Sequence, residues 1–140
     1  MVMTRVMGTP VEAGDAEGIG LVLDEPLSWW GGIDPASGTV IDRSHPQHGS
    51  QTAGRIVVLP CGRGSSGGSA VLAESIRAGT GPAGLVMRAV DPILVVGVMV
   101  AAELYPDRSC PLVVVDEGYE LLTTGSPIHI HPDGAVEQVG

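Results

Sequence analysis

The densest chemistry in the chain lies in residues 59–79, LPCGRGSSGGSAVLAESIRAG. Two adjacent hydroxyls, Ser65 and Ser66, stand among Gly62, Gly64, Gly67 and Gly68, with Arg63 in the same loop. Four apolar residues precede the loop and a helical pattern follows it. Three chemistries use such a loop. Residues 62–67 fit G-x-G-x-x-G between a strand and a helix, and Arg88 near the end of the next strand suits a 2′-phosphate. Against a dinucleotide, no acidic residue ends that strand, and the chain offers barely half of a doubly wound sheet. Residues 64–68 also fit G-x-S-x-G, a nucleophile elbow at Ser66, with Asp116 and then His129 or His131 in hydrolase order. That fold needs a larger sheet and an upstream glycine-rich oxyanion segment. The third reading uses backbone physics alone. N–H groups at a helix start, freed by glycines, bind an anion, and the same positive end stabilises negative charge on a hydroxyl. Arg63 adds to that effect. A plain capped turn is the simplest alternative, but four glycines in seven residues exceed what a cap needs.

The elements that must position this loop set further bounds. The 140 residues are enough for about one domain with a real core, read here as residues 1–140. The hydrophobic fraction is 44%, with no Phe, so the core is aliphatic. The formal net charge is −9, and the seven cations are all arginines, which argues against nucleic acid or an anionic membrane as partner. The longest apolar run, ILVVGVMVAA at 93–102, falls short of the roughly 20 residues of a membrane span. The first residues hold no long apolar segment of a signal peptide, so a cytoplasmic location is expected.

Residues 1–58 read as β-rich, with strands at 19–23 and 39–41 and a loop near 43–54. Residues 55–60 read as a strand covered on both faces. A helix over 66–78 stops at Gly79. A strand over 83–90 leads to Asp91-Pro92, an N-cap with proline at the first helical position, and so to a buried helix. Residues 110–115 make another strand. The tail reads as short strands ending in a hairpin at Pro132-Asp133-Gly134. The class is α/β, β-rich first and then β-α-β-α-β.

Other reactive side chains receive simpler readings. Cys61 and Cys110, 49 residues apart, match no zinc or redox motif, and opposite ends of a parallel sheet keep them from forming a disulfide. His129 and His131 alternate with Ile128 and Ile130, as on the polar face of a surface strand, and lack a third metal ligand. No metal is therefore expected on this chain. Trp29 and Trp30 either line a cleft or place one ring in the core. His45 and His48 sit in a loop that either reaches the site or is a solvated turn. Glu25 and Asp34 read as surface acids.

Four blocks, DEPLSWWGGIDPASGTVIDRSHPQHG, AGRIVVLPCGRGSSGGS, GPAGLVMRAVDPILVVGVMVAAELY and PLVVV, resemble in order the small subunit, or swivel domain, of the aconitase X family. The resemblance covers about residues 18–116. It implies a swivelling β/β/α domain and a hydro-lyase assembled with a much larger partner, either separate or fused. The iron or iron–sulfur site would lie in that partner. In related aconitases the first serine of a G-S-S-R stretch is catalytic, which maps onto Ser65. Here Gly67 replaces the arginine, so Arg63 is the cation left to hold substrate, together with Gly64, Ser66 and Gly67. Members of the family divide between cis-3-hydroxy-L-proline and phosphomevalonate as substrates. The first is favoured here, because a substrate bearing both phosphate and carboxylate should want more than Arg63. A reading of another class, a non-catalytic ligand-binding or interaction module, predicts no large partner encoded nearby.

Overall fold

The computed structural model describes residues 2–140. Eight strands run as β1 (Met3–Met7), β2 (Thr9–Glu12), β3 (Ala16–Val22), β4 (Ile56–Leu59), β5 (Gly84–Met87), β6 (Leu112–Val114), β7 (Pro127–Ile130) and β8 (Ala135–Val139). Their spatial order is β1-β8-β7-β3-β4-β5-β6-β2. The two ends of that order are successive segments of one chain, so the sheet wraps back on itself. Gly8 is the corner. Its N–H donates to the Gly134 carbonyl at 2.9 Å, and a Cβ there would stand 3.0 Å from the Val114 carbonyl oxygen. Strands β3 to β6 are parallel, and the remaining pairs are antiparallel.

Alternation along the parallel strands builds two cores. Ile56, Val58, Val86 and Val113 join Val6, Ile128, Ile130 and Val136 inside the wrapped sheet. Val57, Leu59, Leu85, Met87 and Leu112 face the other way. Two helices cover that second face, α2 (Gly68–Ala78) and α3 (Pro92–Leu104). A short irregular turn, α1 (Trp29–Gly32), precedes them. The layers are therefore sheet, sheet and helix, the expected β/β/α class. Gly97 lets the helices meet: its Cβ would sit 3.0 Å from Leu72 Cδ2. The outer side of α3 stays apolar and exposed at Val96, Met99, Val100 and Leu104.

Several expectations change in detail. The strand expected at 39–41 is only two isolated bridges, Ile33 with Val40 and Thr39 with Gln51, because Val40 alone in that segment is anchored in the core. The first two strands were not legible in their mixed sequence, since one bent segment serves both edges. Residues 119–121, within the tail read as short strands, form a 3₁₀ turn behind the left-handed Gly118. The final hairpin is present as β7 and β8.

Both cysteines are free thiols. Complete burial pushes Cys110 up to about 12, and burial likewise pushes the Tyr119 phenol to about 12 despite Arg88 nearby. Their ordinary values are 9.0 and 10.0, so on unfolding they ionise earlier than in the fold. Their contribution to stability is complete below pH 9 and declines as pH rises towards 12. Urea midpoints should accordingly fall between neutral pH and about pH 10.5, and less steeply in Cys110→Ala. In the native protein, iodoacetamide should modify half-buried Cys61 and leave Cys110 intact until denaturant is added.

Candidate active-site loop

Strand β4 ends at Leu59, and the loop leaves its C-terminal end between the ends of β3 and β5. Gly62 still pairs with Leu27 in a parallel bridge, and the Arg63 N–H donates to the Leu27 carbonyl at 3.2 Å. The chain then turns through Gly64 at φ +82°, which a side chain would resist. Ser65 follows, its Oγ accepting the Gly67 N–H at 3.2 Å, while its carbonyl accepts from Gly68 at 2.9 Å. Helix α2 thus begins at Gly68, two residues later than the sequence pattern suggested. The serines belong to the turn that feeds it. Among the described residues, the N–H groups of Gly64, Ser65 and Ser66 have no intramolecular acceptor. They stand at the positive end of an 11-residue helix.

Two close fits hold the loop. A Cβ on Gly62 would lie 1.6 Å from Asp91 Oδ2, whose other oxygen accepts the Ile93 N–H at 3.1 Å and caps α3. Gly62 is therefore the socket for the cap of the second helix. A Cβ on Gly67 would lie 2.7 Å from Trp30 Cδ1. Trp29 is buried in the core, and Trp30, 61% exposed, lies against the loop. Ser69 ties the same region together by donating to the Ile93 carbonyl at 2.6 Å.

The neighbouring segments are braced from behind. Gln47 clamps Asp24, accepting its N–H and donating to its carboxylate, both at 2.9 Å. His45 is buried. Its Nδ1 accepts the Gln47 N–H, so the ring proton sits on Nε2 and donates to the Glu25 carbonyl at 3.0 Å. His45 is thus a structural brace, and His48 is exposed. Arg63 is half exposed, with Nη2 3.7 Å from Glu25 Oε1. Glu25 is therefore a neighbour of the loop, whereas Asp34 caps its own turn through Ala36 and Ser37. Arg88, after β5, lies over the Tyr119 ring at 5.2 Å and 3.9 Å from Glu120.

Arg63, Gly64, Ser65, Ser66 and Gly67 are thus adjacent, with Arg63 to Ser66 open to solvent. Neither a hollow of about 450 Å³ on the outer antiparallel strands nor one of about 400 Å³ beside Arg77 and Arg108 involves the loop. The sequence reading missed the Asp91–Gly62 fit, which links residues 29 apart, and Trp30 as the wall of Gly67. It also missed a third group beside the histidine pair: Asp15 joins His129 and His131. The expectation that they lack a third ligand is thereby corrected.

A wrapped β/β/α domain with a glycine–serine loop opening its first long helix defines a swivel-type domain of the aconitase class. Residues 5–138 match the family described as the aconitase X swivel domain, and the chain belongs to that family. It is 46% identical over 110 residues to a cis-3-hydroxy-L-proline dehydratase of Pseudomonas aeruginosa, covering 79% of this chain but 19% of that protein. It is 44% identical over 120 residues to the phosphomevalonate dehydratase small subunit of Methanopyrus kandleri, covering 84% of this chain and 83% of that one. The crystal structure of Thermococcus kodakaraensis aconitase X in its holo form superposes with a TM-score of 0.87 at 31% identity, over 98% of this chain and 99% of that one. The chain therefore spans about a fifth of the first of these relatives and most of the other two.

The two glycine fits are separable by substitution. Gly62→Ala must displace the Asp91 cap and should cost about 1–3 kcal/mol in urea unfolding. Gly67→Ala meets only an exposed, movable indole at helical backbone angles (φ −64°). It should be nearly neutral, since the lost chain entropy offsets the shift by about 0.4–1 kcal/mol.

Proposed function

We propose that this chain is the small subunit of an aconitase X-type dehydratase, acting in the cytoplasm with a larger catalytic partner. The observation that carries the proposal is the Ser65–Ser66 turn, open to solvent at the head of α2 in a member of this family. An exposed loop with free N–H groups is half of a site. Closure of a second body over it supplies the missing wall and excludes water.

Dehydration removes a proton from carbon while hydroxide leaves the neighbouring carbon. The C–H electron pair becomes the new C=C bond as the C–O bond breaks. Ser65 Oγ, accepting the Gly67 N–H at the positive end of α2, takes the proton in its alkoxide form. Ser66 and the N–H groups of Gly64, Ser65 and Ser66 hold the substrate carboxylate, with Gly64 leaving open space beside them and Gly67 seating the turn against Trp30. Arg63 adds positive charge once it leaves Glu25. The departing hydroxide needs a Lewis acid. This chain offers one half-buried and one fully buried cysteine, which do not make an iron–sulfur ligand set, and its histidine pair lies on the outer antiparallel strands away from the loop, so the iron or iron–sulfur group is assigned to the partner.

Between the two substrates, the loop's surroundings favour cis-3-hydroxy-L-proline. The C-terminal ends of β3 to β6 carry Asp24, Glu25, Asp91, Asp116 and Glu117, while Arg63 and Arg88 are each beside a glutamate. Such a rim suits a substrate with an ammonium group and opposes one bearing phosphate and carboxylate together. Phosphomevalonate remains the second reading, supported by the match of 84% of this chain to 83% of a separate small subunit. The apolar outer face of α3 and exposed Trp30 supply surface for the partner to cover.

The purified chain should be inactive and should gain dehydratase activity on mixing with the larger protein encoded beside it. Turnover by the chain alone, or no activity from the mixture on either substrate, would remove the proposal. In the reconstituted complex Ser65→Ala should lower kcat by about 10²–10⁴-fold without loss of folding or assembly. Ser66→Ala should act chiefly on KM. A hydrolase would show the opposite ranking, and a dinucleotide site would depend on Gly62 and Gly64 rather than on either hydroxyl.

A further inference from the structure

The outer face of the antiparallel strands carries a cluster that the loop chemistry does not use. Ile128 and Ile130 point inward, so His129 and, one step past β7, His131 point outward. Their rings stack with centroids 3.9 Å apart. The register sets Glu17 of β3 beside His129 on one side and Glu137 of β8 on the other. His129 Nε2 lies 2.8 Å from Asp15 Oδ1, and its Nδ1 lies 3.3 Å from Glu17 Oε1. His131 Nε2 contacts Glu137 Oε1. Arg5 of the neighbouring strand lies 3.5 Å from Glu137.

We propose that Asp15, His129 and His131 form a surface binding site for a divalent transition-metal ion of the zinc class. One donor atom from each lies within 4.8 Å of the others. Two imidazoles and a carboxylate are a ligand set that zinc favours, with water as the fourth ligand. Tetrahedral zinc places its donors roughly 3.4 Å apart. Asp15 just before β3 and His131 just after β7 carry partly exposed side chains, whose rotamer freedom allows the donors to draw together. The second layer is already present. With Nε2 of His129 turned to the metal beside Asp15, its Nδ1–H donates to Glu17, and Glu137 orients His131.

The test is calorimetric titration of the untagged, chelator-washed 140-residue chain with Zn²⁺ at neutral pH, with Co²⁺ absorption reporting tetrahedral coordination. The expected result is one ion per chain. His129→Ala and His131→Ala should each weaken binding at least about tenfold, and Asp15→Asn should weaken it about tenfold. His48→Ala, an exposed histidine elsewhere, should leave it unchanged. Zn²⁺ should raise the Tm of the wild type and not of the His129→Ala/His131→Ala double variant, with circular dichroism confirming that the variant is folded. Absence of saturable binding would overturn the proposal and reduce the cluster to ion pairs. So would stoichiometric binding that survives in the double variant and is lost in Cys61→Ser.

Discussion

The structure depends on the two-sided burial of the parallel strands. Ile56 and Val58 of β4 point into the wrapped sheet, while Val57 and Leu59 point at the helices, and all four are fully buried. A strand buried on both faces cannot slip by one residue without exchanging its contents between the two cores. Its end is therefore fixed, and so is the point at which residues 60–67 leave it. The serines are placed by aliphatic packing some residues away. The loop adds its own turn geometry and the close fits at Gly62 and Gly67.

The same constraint explains why the glycines differ in role. Gly64 supplies a left-handed angle, whereas Gly62 supplies empty volume for a carboxylate that caps another helix. The two helix starts are thereby coupled: the cap of α3 rests on the loop that opens α2, and Ser69 of α2 bonds to the Ile93 carbonyl of α3. The unit that presents Ser65 comprises β4, both helix N-termini and Trp30. Stability placed in the helices is transmitted to the loop by contact.

The legible parts of the fold were those with strong local signals. The runs at 55–60, 83–90 and 110–115 are continuous and apolar. Asp91-Pro92 and Gly79 mark helix ends by their own chemistry, and Pro132-Asp133-Gly134 marks a hairpin. The glycine–serine loop was legible because its composition exceeds what a cap requires. What escaped was long-range. Gly8 looks ordinary until both sheet edges are known to meet there. Asp91 read as a cap, and nothing local said that its other oxygen fills the space over Gly62. Residues 39–41 are β-branched as in a strand but pair only through single bridges. Asp15 joins His129 through pairing between segments 114 residues apart, which periodicity within either segment cannot reveal.

The charge distribution bears on the proposed closure of a partner over the loop. At the C-terminal ends of the parallel strands, acids outnumber arginines, and each arginine there lies at 3.7–3.9 Å from a glutamate rather than in a tight pair. Exposed pairs at such distances are worth little, about 0–1 kcal/mol. The free N–H groups of residues 64–66 cannot be screened by rotating away, because the backbone fixes them. Under the proposed function, carboxylate binding at the loop would exchange a weak, flexible ion pair for backbone donors. That preorganisation costs nothing at the moment of reaction. The proposed assembly would use this arrangement, since the loop would hold its geometry in water before the partner's half of the site arrives.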